Sequence, residues 1–196
     1  VPNYSPVALS TAYEALLPGS YTFGLKVTYG NQNSQADTVV VTVAPPKTVH
    51  VPADFASIQE AVDAAVKGDV VLVAEGYYQE KVVMKPGVTL RGEGPDKTII
   101  DGQWCEPAAI LGADNTVIEN LQVRGSPDMG YMVDLEGYEA TLRNCLLLYT
   151  SSGGTALRLG GDATQTIEFN TFGPAQWGTH MFIYNGDQAV IRHNIV

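Results

Sequence analysis

The sequence predicts an all-β chain whose main part is a parallel β-helix. One strand motif recurs at a spacing of 24 or 25 residues and begins at Ile118, Leu142, Ile167 and Ile191. A second motif keeps the same period about eight residues upstream, at Ala109, Val133, Leu157 and Phe182. A fixed period with no helix between the strands is typical of a solenoid whose coils contact only their neighbours. We therefore expect two strands per coil, stacked coil on coil.

The residues between the inward positions favour the same stacking. After each first apolar residue of the first motif comes a charge whose sign alternates along the chain: Glu119, Arg143, Glu168 and Arg192. In the second motif the corresponding outward residues are Ile110, Asp134, Arg158 and Ile183. Opposite charges directly across a strand pair stabilise it by up to about 1 kcal/mol. We therefore expect Asp134 to face Arg158 on adjacent coils.

Residues 1–44 predict a separate unit. Tyr21–Tyr29 alternates apolar and polar residues, Asn31–Ser34 supplies a turn and Thr38–Val43 returns, which together predict a β-hairpin. Preceded by Leu17–Ser20, this stretch resembles the last hairpin of PKD-type and related immunoglobulin-like surface domains. Such a sandwich needs about seven strands and roughly 100 residues. We therefore expect residues 1–44 to be part of a sandwich.

Residues 45–196 are the predicted β-helix, which opens with a capping helix over residues 57–66. Ser57–Glu60 is a capping box, and Lys67–Gly68 ends the helix. The apolar stripe that would cover the solenoid core consists of Ile58, Ala61, Val62, Ala65 and Val66. The short strands expected around the helix are Thr48–Val51, Val70–Val73, Lys81–Met84, Val88–Leu90 and Thr98–Ile100.

At its other end the sequence stops at Val196, on an inward position of the fourth repeat and without a cap. Two explanations fit this ending. The chain is part of a longer surface protein, or neighbouring subunits complete its strand edges, since unpaired edges recruit other chains.

Five segments between Ala53 and Gly102 share one resemblance. They are Ser57–Ala65, Gly68–Val71, Gly76–Glu80, Gly87–Gly94 and Ile99–Gly102. Together they resemble the opening of pectinesterase-type and other pectin-lyase-like right-handed β-helix proteins. The resemblance implies the right-handed fold, and it covers the capping helix and the first coils.

The catalytic segments of a pectinesterase are not matched. Gly153 stands where the resemblance would place a glutamine, and Trp177 replaces the Asp beside Gln176. The second Asp would fall just beyond Val196 or, in a shifted register, on Met181. Ester hydrolysis by two carboxylates needs both within hydrogen-bond reach. The resemblance therefore implies the fold without the active site.

Composition excludes several function classes. The net charge of −10 and the pI near 4.6 disfavour nucleic acid and anionic membranes as partners, because phosphate contacts need clustered Lys and Arg. No apolar run is long enough to span a bilayer, and Val1–Tyr4 lacks the features of a signal peptide. Of the two cysteines, Cys105 and Cys145, the latter lies on the inward stack and is expected to be a small buried hydrophobe.

Two groups of residues are candidate binding sites. Asp114, Asp162 and Asp187 each lie three residues after a strand end and could line one corner of the solenoid as Ca²⁺ ligands. The alternative is that they are ordinary turn residues, since Asp beside Gly is common in turns. Tyr131, Tyr149, Trp177 and His180 lie in the segments that leave the solenoid and could bind carbohydrate. The alternative is that these rings pack the loops onto the coils.

These observations favour a noncatalytic secreted or cell-surface protein with a structural or adhesive role, self-associating end to end or joined to neighbouring domains. The alternatives are a carbohydrate-binding module and a pectinesterase- or lyase-like enzyme whose active residues lie outside this sequence. No cofactor is expected, with Ca²⁺ as the alternative. Polysaccharide is the other candidate partner, and neither nucleic-acid binding nor membrane insertion is expected.

Overall fold

The computed structural model describes residues 17–103, 107–125, 130–149, 154–173, 179–184 and 188–196. The chain divides into two compact units, Val1–Pro45 and Pro46–Val196.

The first unit contains a β-hairpin, as predicted. Its strands are β1 (Gly19–Leu25), β2 (Thr28–Tyr29), β3 (Gln32–Asn33) and β4 (Asp37–Val43). β1 pairs with β4 and β2 with β3, both antiparallel. The predicted turn at Asn31–Ser34 is wrong, because Gln32 and Asn33 belong to β3 and the chain turns at Gly30 and Asn31. Gly30 adopts a φ of 56°, a conformation that costs glycine little.

Apolar side chains of this hairpin are solvent-exposed. Leu25 and Val40 keep 64% and 62% of their surface in contact with solvent. The β1–β4 pair is a two-stranded sheet, and two strands without a packed face are marginally stable in water. The larger sandwich stays a prediction.

The second unit contains one short helix, α1 (Ile58–Ala64), among short strands. The strands are β5 (Thr48–Val51), β6 (Val70–Val73), β7 (Gly76–Tyr78), β8 (Val82–Val83), β9 (Thr89–Gly92), β10 (Thr98–Asp101), β11 (Ala108–Leu111), β12 (Thr116–Glu119), β13 (Gln122–Gly125), β14 (Tyr131–Asp134), β15 (Ala140–Arg143), β16 (Leu146–Tyr149), β17 (Thr155–Gly160), β18 (Gln165–Glu168), β19 (Thr171–Phe172), β20 (Thr179–Tyr184) and β21 (Val190–Arg192).

These strands form three parallel sheets. Sheet 1 runs in the order β21-β18-β15-β12-β9-β6-β5, sheet 2 in the order β19-β16-β13-β10-β7 and sheet 3 in the order β20-β17-β14-β11-β8. A coil passes from sheet 1 to sheet 2 to sheet 3 and returns to sheet 1 one strand further along. This topology confirms the predicted parallel β-helix. Each coil has three strands where two were predicted, because the first motif spans two strands, for example β12 and β13.

The core is a stack of equivalent apolar residues. In sheet 1, Ile118 pairs in register with Leu142, and Leu142 with Ile167, and all three are fully buried. Cys145 is also buried, as predicted. In the fourth repeat Ile191 is 38% exposed because it lies on the edge strand β21. The predicted inward stack is thus confirmed, and its last layer is open.

In sheet 3 the prediction is wrong for the first and fourth repeats. Ile110, Val133, Leu157 and Met181 are in register, so Ile110 is the inward residue and is fully buried. Leu111, Asp134, Arg158 and Phe182 are in register on the opposite face. The predicted inward positions Ala109 and Phe182, and the predicted outward positions Ile110 and Ile183, are therefore off by one residue. A shift of one residue exchanges the two faces of a strand.

The corner between sheets 1 and 2, called corner 1, has the same length in the coils from β12 onward. Two residues connect β12 to β13, β15 to β16 and β18 to β19, whereas five connect β9 to β10. From β12 onward the residue that follows the sheet 1 strand has a left-handed backbone: Asn120 (φ 56°), Asn144 (φ 50°), Phe169 (φ 57°) and His193 (φ 55°). The amide of Asn144 donates to Oδ1 of Asn120 across 2.6 Å, and the rings of Phe169 and His193 stack at 4.9 Å. Corner 1 is therefore a regular column along the solenoid.

Helix α1 covers the first coil, as predicted. Ser57 and Glu60 form the capping box, and Ile58, Ala61 and Val62 are buried. The Glu80 carboxylate also accepts hydrogen bonds of 3.0 Å from the backbone N–H groups of Ile58 and Gln59. The helix ends at Ala64, two residues before the predicted end. Ala65 is extended, which takes Val66 out of the stripe and leaves it 59% exposed.

Candidate functional site

The outer face of sheet 3 carries a cluster of charged residues around Arg158. Asp134 on β14 lies directly beside Arg158 on β17, one coil further along. Glu136 follows β14, and its backbone N–H donates to Oδ1 of Asp134 across 3.1 Å. The pairing of Asp134 with Arg158 confirms the prediction from the charge pattern.

The Arg158 guanidinium contacts three side chains. Nη1 donates to Oδ2 of Asp134 across 3.3 Å, and Nη2 forms an ion pair with Oε2 of Glu136. Its Cζ lies 5.0 Å from the centre of the Tyr131 ring, within the range of a cation–π contact. The Arg158 side chain therefore contacts two carboxylates and one face of an aromatic ring.

The charged side chains of this cluster are buried to different degrees. Only 6% of the Asp134 side chain is exposed, against 22% for Glu136 and 30% for Arg158. Burial raises the pKa of Asp134, and the attraction and hydrogen bond of Arg158 offset this only in part. A carboxyl with a raised pKa beside a second carboxylate is one arrangement from which general acid–base chemistry can proceed.

No protein-family model matches the sequence, and no curated protein matches it. Solved structures of pectin methylesterases resemble it. Pectin methylesterase PemA from Erwinia chrysanthemi is 16% identical, with 67% of this chain and 56% of that chain covered and a TM-score of 0.46. The pectin methylesterase from carrot is 14% identical, with 74% and 70% covered and a TM-score of 0.44.

The chain spans little more than half the length of the Erwinia pectin methylesterase, at 56%. Similarity at this level assigns neither a family nor an activity to the chain. The function of its residues therefore has to be argued from their own geometry.

A second charged cluster lies on the outer face of sheet 1. Glu119 of β12 accepts hydrogen bonds from Nε of Arg91 on one side and from Nε of Arg143 on the other, the latter across 2.6 Å. Burial raises the pKa of Glu119, but the hydrogen bonds of the two arginines outweigh it, so the pKa lies below its usual value. Arg192 donates to Glu168 across 2.8 Å. The predicted alternation is confirmed, and its charges are paired between coils.

The four predicted carbohydrate-binding residues are only partly described. Tyr131 and His180 lie near the starts of β14 and β20, two coils apart in sheet 3. One face of Tyr131 is covered by Arg158, while a ring nitrogen of His180 lies 3.1 Å from the Gly173 carbonyl and its ring meets Phe172 edge-on. Trp177 and the side chain of Tyr149 lie outside the described residues. Carbohydrate binding by this group stays a prediction.

Of the three predicted Ca²⁺ ligands, Asp114 and Asp162 lie among the described residues and do not share a register position. Oδ1 of Asp114 accepts the backbone N–H of Glu139 across 3.2 Å. The strand register places Asp114 level with Tyr138 and Ala163, so Asp162 lies two coils away and one residue out of line. Asp187 lies outside the described residues. In the part that is described, no group of three or more His, Cys, Asp or Glu could hold a metal ion, and the Ca²⁺ site stays a prediction.

Sequence reasoning missed Glu136 and Arg91 as partners in these clusters. Glu136 lies two residues after Asp134, and side chains two apart lie on the same side of an extended chain. That spacing could have indicated a second carboxylate for Arg158. Arg91 lies 28 residues before Glu119, outside the 24- to 25-residue period, so the repeat gave no signal for it.

Within the described ranges no helix is long and apolar enough to cross a membrane.

Proposed function

We propose that this protein is a noncatalytic β-helical scaffold of an extracellular or cell-surface protein. The observation that carries the proposal is the pairing of outward charges between coils. Glu119 is bound by two arginines, Glu168 by one, and Arg158 binds both Asp134 and Glu136. Charged groups that hold coils together are not free to activate a substrate.

The extracellular or surface setting is supported by the sequence resemblance of residues 17–43 to surface-domain hairpins and of Ala53–Gly102 to pectin-lyase-like proteins. The acidic composition agrees with a partner other than nucleic acid or anionic lipid.

Self-association through the edge strands β19, β20 and β21 belongs to the same proposal. The edge strands β19, β20 and β21 carry exposed apolar residues, among them Phe182 (45%), Ile183 (48%) and Ile191 (38%). Unpaired edges with apolar side chains favour pairing with another chain. At the opposite end α1 covers the core, which favours contact between two like ends over a head-to-tail filament. Light scattering should show a dimer that dissociates on dilution, and Ile183→Lys should shift the equilibrium to the monomer.

A second candidate function is a polysaccharide-active enzyme that uses the outer face of sheet 3. The raised pKa of Asp134, next to Glu136 and Arg158, favours it. The pectin methylesterases that resemble the fold act on pectin, which makes pectin the first substrate to test.

The two candidates are separated by an activity assay. Purified protein is incubated with methylated and unmethylated pectins, with and without Ca²⁺, and both released methanol and newly formed chain ends are measured. The scaffold proposal expects no turnover above that of the Asp134→Asn variant. Turnover that is lost in folded Asp134→Asn would overturn it and support the enzyme.

A further inference from the structure

A shallow pocket of about 210 Å³ lies where the outer face of sheet 1 meets the corner that follows sheet 3. Three successive coils line it with residues that take no part in the ion pairs between coils. The residues that line it include Asn115, Val117, Glu139, Thr141, Thr164 and Thr166. It is separate from the cluster around Arg158, which lies on the outer face of sheet 3.

The strand register gives the pocket a regular floor. Val117, Thr141 and Thr166 are in register on β12, β15 and β18, so their side chains follow one another at roughly 4.8 Å. Each is half-buried. The floor is therefore a row of one isopropyl group and two hydroxyls that does not need to rearrange to meet a ligand.

The polar side chains of this pocket have unused hydrogen-bonding capacity. Within the described residues, the hydroxyls of Thr141, Thr164 and Thr166 make no hydrogen bond, and neither does the side chain of Asn115 or Glu139. The Thr116 hydroxyl differs, because it donates to the Ala113 carbonyl across 2.7 Å. High β-propensity explains threonine on a strand surface, and the concavity places the half-buried Thr141 and Thr166 beside the exposed polar residues Asn115, Glu139 and Thr164.

The functional groups of the lining side chains indicate which class of ligand the pocket binds. Hydroxyls and an amide donate and accept, and one carboxylate accepts, which suits a molecule with several hydroxyl groups. Glu139 lines the pocket, and Asp114 and Asp162 lie in the adjoining corner. These carboxylates would repel a negatively charged ligand. Glu139 is the only acidic group among the lining residues, too few for a Ca²⁺ shell of six to eight oxygens. At about 210 Å³ the pocket is smaller than the roughly 300 Å³ at which drug-sized sites begin.

We infer that this pocket binds one ring of a neutral saccharide. The threonine row contacts the face and hydroxyls of the sugar, and the Glu139 carboxylate accepts hydrogen bonds from its hydroxyl groups. This goes beyond the scaffold function, since it gives the solenoid a ligand on a surface that the scaffold does not need.

The inference is tested by amide NMR on the whole chain. The protein is titrated with neutral hexasaccharides of glucose, mannose, galactose and xylose, and with hexagalacturonate as the acidic probe. Saturable shifts are expected at the amides of Thr141 and Thr166 with at least one neutral hexasaccharide, and weaker binding or none with hexagalacturonate. Absence of saturation with all four neutral sugars, or tighter binding of the acidic one, would overturn the inference.

Matched variants separate the pocket from the rest of the sheet. Thr141→Val and Thr166→Val keep the branched shape and remove one hydroxyl each, so each should weaken binding roughly fivefold, as expected for one hydrogen bond. Thr89→Val removes a hydroxyl of the same row outside the pocket and should leave affinity unchanged. Equal losses in all three variants, or none in the first two, would contradict the site. Melting curves confirm that each variant is folded.

Discussion

Asn194 occupies the position of Asn170 one coil later, and the two side chains are linked. Oδ1 of Asn194 accepts from the backbone N–H of Asn170 across 2.8 Å and from its Nδ2 across 3.1 Å. Asn170 repeats the pattern on the coil before, where its Oδ1 accepts from the N–H of Cys145 and its Nδ2 donates to the Leu142 carbonyl, both across 2.9 Å. A buried amide thus supplies hydrogen bonds that the backbone of the corner cannot make itself.

We predict that Asn170→Ala lowers the free energy of unfolding by about 3 kcal/mol. The change leaves the N–H of Cys145 and the carbonyl of Leu142 buried without that partner, and each loss costs about 1–3 kcal/mol. Urea unfolding measures the difference. Asn144→Gly is the control, because Asn144 is exposed and glycine tolerates its left-handed backbone. Equal losses in the two variants would contradict a special role for the buried amide.

We predict a pH-dependent contribution from Glu119. Its pKa is lower in the folded chain than its ordinary value of 4.5, so the ion pairs stabilise the fold above that pH and their contribution is lost as pH falls through the folded pKa. Glu119→Gln should therefore destabilise the protein by about 2 kcal/mol at pH 7 and by progressively less below pH 4.5.

Thermal unfolding at several pH values tests this prediction. Glu168→Gln is the matched control, because Glu168 contacts Arg192, whose side chain is 56% exposed. Its effect should stay below about 1 kcal/mol. A Glu119→Gln effect that is the same at pH 3 and pH 7 would show that the loss is one of packing and not of charge.

We predict strong coupling between Asp134 and Arg158. Arg158→Met leaves two carboxylates without their cation, one of them nearly buried, and should cost about 3 kcal/mol. Asp134→Asn in the Arg158→Met background should cost less than in the wild-type protein, with a coupling energy of about 1 kcal/mol or more. A double-mutant cycle of unfolding free energies measures it. Strict additivity would show that the two residues act independently.

We predict that Cys145 does not react while the protein is folded. It is 2% exposed, and burial raises the pKa of its thiol to about 12, so the reactive thiolate is scarce at pH 8. In a Cys105→Ser background, iodoacetamide should leave the native protein unmodified and add one group after denaturation. Mass spectrometry measures the number of groups added to the native and to the denatured protein. Rapid labelling of the native protein would contradict the buried position of Cys145.

The sequence predicted the register of sheet 1 well because its inward residues are followed by charged ones. Ile118 and Leu142 are each followed by a charged residue that must face solvent, so only one register is compatible with burial. In sheet 3 the first repeat reads Ala109, Ile110, Leu111, in which neighbouring positions are all apolar. Such a run does not show which residue points inward, and the register follows only from the strands on either side.

The candidate sites were less predictable for a related reason. Asp134 and Arg158 were recognised because opposite charges fell one period apart. The pocket on sheet 1 depends on Thr141, Thr166 and Glu139, which are ordinary surface residues in sequence. What distinguishes them is a concave arrangement across three coils, and only the stacked structure shows it.

Corner 1 has a consequence for how such a chain can change in length. From β12 onward two residues suffice there, and a left-handed backbone fixes the direction of the chain. Inserting a residue in those coils would break the column of side chains, whereas the connections from sheet 2 to sheet 3 and from sheet 3 to sheet 1 differ in length from coil to coil. Corner 1 thus keeps a constant length from β12 onward, after a coil in which it holds five residues. New loops, and with them new binding surfaces, can arise at the opposite corners, and a whole coil can be gained or lost as one modular unit.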